Sequence, residues 1–182
     1  KTHCLIGRVS HLLERGLIAA NRICAVTFTN RAAEEITSRL RASIGPRAED
    51  ITRGTLHALC LDILREHGEV AGLRRGFGVA DEEYQKVVLG RLRVAAKRRG
   101  GVLTRFGRHR LQGYPLSPEE QVLFRRYGAY LRKQSLIDFD DLIAITADTF
   151  ERHPAVADAV SSRWDYVLVD EFQDLNAAQY AI

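Results

Sequence analysis

The sequence of 182 residues contains no methionine, position 1 included, and only three cysteines. Cys4, Cys24 and Cys60 are scattered and free of CxxC spacing, so they imply neither a disulfide framework nor a zinc site and read as reduced thiols. No apolar run approaches the roughly 20 residues of a membrane span. The opening stretch, KTHCLIGRVSHLLERG, is amphipathic and lacks the continuous apolar core of a secretory signal. A cytoplasmic location is expected, or a nuclear one in a eukaryote. With no Met at position 1 and a last residue, Ile182, inside a helical pattern, the chain reads as a piece of a longer protein.

Acid is missing locally. From Tyr84 to Pro118 there is no Asp or Glu, while Lys86, Arg91, Arg93, Lys97, Arg98, Arg99, Arg105, Arg108 and Arg110 supply nine positive charges. The formal net charge of +4 therefore divides into +9 in this block and −5 elsewhere. A solvated helix face usually mixes signs, so the block is a candidate polyanion-binding surface, with Arg98, Arg99 and Arg105 as its contacts. The alternative is an Arg-rich helix with no ligand.

What is present fits a soluble globular chain: 46% hydrophobic and 27% charged residues, long enough for one α/β domain or for a domain with an insertion. Leu5, Val9, Leu12 and Leu13 share a helical face that Gly16 can stop. RICAVTFTN (residues 22–30) reads as a buried strand, after which Asn30 can cap a helix with Ala33, Ile36 and Leu40 inside. SIGPRAED (43–50) reads as a loop. A short strand follows, then a helix with Leu56, Leu59, Cys60, Ile63 and Leu64 on one side, ended by Gly68.

From about Gly72 to Phe150 the segments turn helical and basic, and LIDFDDLIAITADTFERHP reads as one helix stopped at Pro154. Strand character returns at Tyr166. The expected organisation is an α/β core over 1–71, an inserted helical basic subdomain over 72–158, and a return to the core over 159–182.

That last strand, YVLV, runs into Asp170 and Glu171. Ligands of parallel α/β sheets bind beyond the carboxyl ends of the strands. One carboxylate there can hold Mg²⁺, which prefers oxygen ligands, and its neighbour can take a proton from an attacking water. A charged turn after a strand is the plainer reading of an isolated Asp-Glu pair.

The longer string VLVDEFQD resembles the Walker B segment of the UvrD/Rep/PcrA family of superfamily 1 DNA helicases. AVTFTNRAAEEITSRL (25–40) is similar to that family's motif Ia, GTLHALCLDILREHG to its TFH segment, and LIDFDDLI (136–143) to the element before motif II. The four segments occur in the family's order and cover most of the chain outside the basic block. Leu56 departs from the family's usual Phe.

The resemblance implies a P-loop NTPase, RecA-like parallel-sheet core, truncated, with an inserted helical subdomain. It implies an ATP-dependent 3′→5′ helicase or translocase acting in DNA repair, recombination or replication on single-stranded DNA and single-strand/duplex junctions. ATP and Mg²⁺ are the implied cofactors, and further helicase domains are implied beyond residue 182. Lys1 and Thr2 look like the end of a GxxGxGKT phosphate loop, Lys1 binding ATP and Thr2 ligating Mg²⁺ opposite Asp170. Glu171 would be the base, and Gln173 would lie near the γ-phosphate.

Thr27, Phe28, Thr29 and Asn30, with Thr55 and His57, would lie along the single strand, Phe28 stacking on a base. Without the resemblance, Asn30 and Thr55 read as caps and Phe28 as core. Asp138, Asp140 and Asp141 read as a helix start rather than a two-metal nuclease site, Asp138 capping and Asp141 at the third position. Without its glycines the fragment alone is expected to be inactive. A non-catalytic nucleic-acid-binding module and the helicase subunit of a helicase–nuclease complex are the alternatives.

Overall fold

The computed structural model describes residues 2–182, Thr2 by its backbone alone. In chain order the elements are α1 (Thr2–Glu14), β1 (Ile23–Thr27), α2 (Asn30–Ile44), β2 (Thr52–Thr55), α3 (Leu56–His67), β3 (Gly78–Ala80), α4 (Glu82–Arg91), α5 (Ala96–Gln112), α6 (Pro118–Lys133), β4 (Leu136–Asp138), α7 (Phe139–Arg152), α8 (Pro154–Ser161), β5 (Tyr166–Val169) and α9 (Ala177–Tyr180). They form two compact units. The first comprises the chain up to Leu59 with Pro154–Leu175, and the second comprises Cys60–His153 with Asn176–Ile182.

The first unit is a parallel three-stranded sheet in the order β2-β1-β5. All five β1 residues are buried, and the apolar run Ile23–Val26 is that expected of a strand covered on both faces. Leu5, Ile6, Val9 and Leu13 of α1 and Ile36 and Leu40 of α2 pack with Ile23 and Ala25 into one core. The face anticipated for α1 is therefore correct, and Gly16 ends it in the left-handed region at φ +62°. The stretch 43–50 is not an open loop. Gly45–Asp50 winds into a 3₁₀ helix with Pro46 in its first turn, which buries Ala48.

β5 lies at the sheet edge, so it is less buried than its apolar sequence suggests: Tyr166 and Val167 are exposed. Arg22 secures its approach. Its Nη1 donates to the carbonyls of Ser162 (2.7 Å) and Arg163 (3.0 Å), and its Nε donates to Asp165 Oδ2 at 3.2 Å. This pairing holds the Asp165 carboxyl below the usual carboxylate range.

The second unit is mostly helical but carries its own parallel pair, β3 against β4, with Ala80 opposite Asp138. The expectation of a single helix over 136–154 fails here. Leu136–Asp138 is a strand, the helix begins at Phe139, and Pro154 starts α8 rather than only ending α7. Gly78 lies close under its neighbour: a Cβ there would sit 2.7 Å from Leu136 Cδ2, so a larger residue would make that side chain shift. The core joins Val88, Leu89, Val102, Phe106, Tyr127 and Leu131. Asp138 caps α7 and Asp141 returns the bond as a capping box, as the sequence indicates.

Candidate functional site

The first unit gathers its polar residues at the carboxyl ends of its three strands. Thr27, the last residue of β1, is in register with Thr55, the last of β2, and Val26 is in register with Val169 of β5. Asp170 follows Val169, and its N–H donates to Val26 O at 3.0 Å, extending the ladder by one bond. Thr55, Thr27 and Asp170 therefore stand in a row across neighbouring strands, which parallel sheets space about 4.8 Å apart. Asp170 is 7% exposed and Thr27 is 3% exposed, so the row is set into the structure rather than spread on its surface.

Glu171 then breaks from the strand. Its φ of +54° places a non-glycine residue in the left-handed region, a conformation costing on the order of 1–3 kcal/mol and concentrated at functional positions. Phe172–Asp174 forms a 3₁₀ turn behind it. Gln173 is solvent-exposed, and its side-chain amide donates to Glu171 Oε2.

At the tip of β1 the chain turns into α2. The cap is Thr29, whose Oγ1 accepts from Ala32 N at 3.1 Å, and Asn30 is the first helical residue. The assignment of the cap to Asn30 is corrected by one position: both residue types cap well, and Thr29 is the one with extended backbone. Its exposed side chain leaves Asn30 facing solvent, while Phe28 is half-buried. Thr55 caps α3 through Ala58 N at 3.2 Å. His57 is half-buried, and burial pushes its imidazole below the ordinary histidine range, favouring the neutral ring. An open groove of about 790 Å³ runs beside these tips, lined by Asn30, Thr37, Arg41, Arg53 and Thr55 among others.

In the second unit, α5 carries most of the acid-free block. Arg98 is exposed, Arg99 donates from Nε to Val94 O at 3.1 Å, and Arg105 pairs with Glu120 at 2.7 Å. Arg110 is turned inward, its side chain 9% exposed and bonded to Asp138 (2.7 Å) and Asp141 (3.2 Å). Lys86 is paired with Glu82 and Glu83. The nine cations are thus not one uniform surface. The Asp138–Asp141 carboxylates are tied to a buried guanidinium.

Lys1 and the side chain of Thr2, expected to bind ATP and Mg²⁺, lie outside the described residues. Among the described residues no three His, Cys, Asp or Glu side chains converge as a metal cluster, and no helix is long and apolar enough to cross a membrane. Sequence reasoning did not anticipate the Gln173–Glu171 bond.

Comparison with known proteins bears on the same segments. The sequence matches the family described as UvrD/REP helicase N-terminal domain over residues 1–100 and 110–182. It is 34% identical over 202 residues to the ATP-dependent DNA helicase PcrA of Bacillus subtilis (strain 168), covering 100% of this chain and 27% of that protein. It is 30% identical over 199 residues to PcrA of Staphylococcus epidermidis (strain ATCC 12228 / FDA PCI 1200), with the same coverage of each chain. The chain thus spans about a quarter of the length of the curated relatives it matches.

Proposed function

Because the chain belongs to the UvrD/REP helicase N-terminal domain family, we propose that it supplies nucleotide- and single-strand-contacting elements of an ATP-driven DNA helicase. The observation that carries this reading is the row of Thr55, Thr27 and Asp170 at the carboxyl edge of one parallel sheet, with Glu171 turned out beside it.

Asp170 suits Mg²⁺ because it is a hard oxygen donor held in place by a backbone bond at a strand tip. A single carboxylate ligand is compatible with a cation that keeps several waters and takes further ligands from phosphate. Thr2 is the second candidate ligand and Lys1 the candidate phosphate contact, both from the sequence. When bound, Mg²⁺·ATP supplies the γ-phosphoryl group that passes to water. Glu171 accepts the proton of that water, and its position outside the strand gives its carboxylate reach that Asp170 lacks.

The tips carrying Thr27–Asn30, Thr55 and His57 hold the single strand, with phosphates received by backbone N–H and hydroxyl groups there and a base stacked on Phe28. Arg98, Arg99 and Arg105 are phosphate contacts of the acid-free block in its own right. ATP closes between this core and a second motor domain in the remaining chain. The parent steps 3′→5′ on single strands and at duplex junctions during repair, recombination or replication, and this chain alone does not turn over ATP.

The test is Glu171→Gln in the full-length parent. DNA-stimulated phosphate release should fall by about 10²-fold or more while nucleotide binding is retained. Wild-type turnover overturns the assignment of Glu171 as the base.

A further inference from the structure

We infer that Gln173 is a positioning residue for Glu171, its side-chain amide setting the plane of the carboxylate that takes the proton. The inference rests on the reading of Glu171 as the base. Residues two apart share a face on an extended strand but not on a helix, and here side chains 171 and 173 meet where the strand has ended, through a local reversal of the chain. Asp170 is anchored by its N–H to Val26 O, Glu171 adopts φ +54° and ψ +40°, and Asp174 N–H closes onto Glu171 O at 2.9 Å.

The strand is thereby anchored one peptide before Glu171 and the peptide after it is held through its carbonyl, which leaves the carboxylate's freedom mainly to its own side-chain torsions. The Gln173 amide, donating to Oε2, restrains those torsions. Gln173 is exposed, so no core packing accounts for a long polar side chain folded back on its neighbour. A base displaced by about 1 Å can lose roughly 10²-fold in rate, which gives the restraint a catalytic consequence.

The inference separates from direct phosphate sensing by Gln173. In positioning, Gln173 acts only through Glu171. In sensing, it acts on nucleotide whether or not Glu171 is present. The experiment compares Gln173→Ala, Glu171→Gln and the double variant in the full-length parent bound to single-stranded DNA. Single-turnover phosphate release, affinity for a non-hydrolysable ATP analogue and Tm are measured on each.

Gln173→Ala should lower the rate tenfold or more, leave analogue affinity within twofold and leave Tm unchanged. Added to Glu171→Gln, it should lower the rate no further. An unchanged rate in Gln173→Ala overturns the inference. So does a tenfold loss of analogue affinity, or an equal loss of rate in the Glu171→Gln background. Wild-type turnover in Glu171→Gln alone would instead remove the base assignment beneath it.

Discussion

The guanidinium of Arg110 is the most consequential single group in the second unit. It donates to both oxygens of Asp138, forms an ion pair with Asp141, and lies 5.0 Å from the centroid of the Phe124 ring. Tyr127, fully buried, donates its hydroxyl to the same Asp138. Arg110→Met should therefore destabilise the protein by about 3–5 kcal/mol in urea unfolding, because it strands two buried carboxylates. Arg110→Lys should recover only part, since an ammonium cannot reproduce the fork. The buried thiols give a pH signature. Burial pushes Cys24 and Cys60 up to about 12. An unfolded thiol ionises near about 8.5, so the native chain retains protons that the unfolded chain releases. The resulting stabilisation is fully present below that pH and is lost as pH rises toward about 12, at about 1.4 kcal/mol per pH unit for each thiol. A Cys60→Ala variant should show a shallower alkaline loss than wild type in urea midpoints taken from pH 8 to 10.

At the scale of elements, Thr29 is the cap on which α2 depends. Thr29→Ala should cost about 1 kcal/mol in the same unfolding measurement, and Asn30→Ala should cost much less. The sequence makes α2 plain and its cap ambiguous, because Thr and Asn adjoin and differ only in backbone angles. The long signals were legible: ICAV is an unbroken apolar run, Leu5 to Leu13 keep a helical period, and Asp138 with Asp141 has capping-box spacing. The short ones were not. β3 and β4 have three residues each, and Gly78–Ala80 becomes a strand only because Leu136–Asp138 pairs with it. Leu136 and Ile137 merge, in sequence, with the apolar face of α7. The carboxylates at the site could be named from the sequence, whereas the Gln173 contact could not. It depends on a left-handed glutamate, which no residue type announces.

Across the whole chain, the acid-free block divides by partner. Arg105 is engaged by Glu120 and Arg110 by Asp138, while Lys97, Arg98 and Arg108 are exposed on α5. Neutralising Lys97, Arg98 and Arg108 together in the full-length parent should weaken DNA binding at low salt and flatten its dependence on log salt. Each lost single-strand phosphate contact should reduce the slope by about 0.7. Neutralising Arg105 alone should move it less. Anisotropy titrations of a labelled oligonucleotide at several salt concentrations read both, and an unchanged slope in the triple variant would return α5 to an ordinary solvated helix.

The bond from Arg22 to Asp165 joins residues 143 apart in the chain, and β5 joins β1 across the same interval. A ribosome adding roughly 5–20 residues per second needs about 7–30 s to make that stretch. Through that interval β1 has β2 on one side, while its other edge waits for a strand not yet synthesised. The run Ile23–Thr27, mostly apolar and without charge, is the kind of unpaired edge on which chains join one another. Translation speed through the intervening helices therefore sets how long the nascent chain is exposed to that hazard.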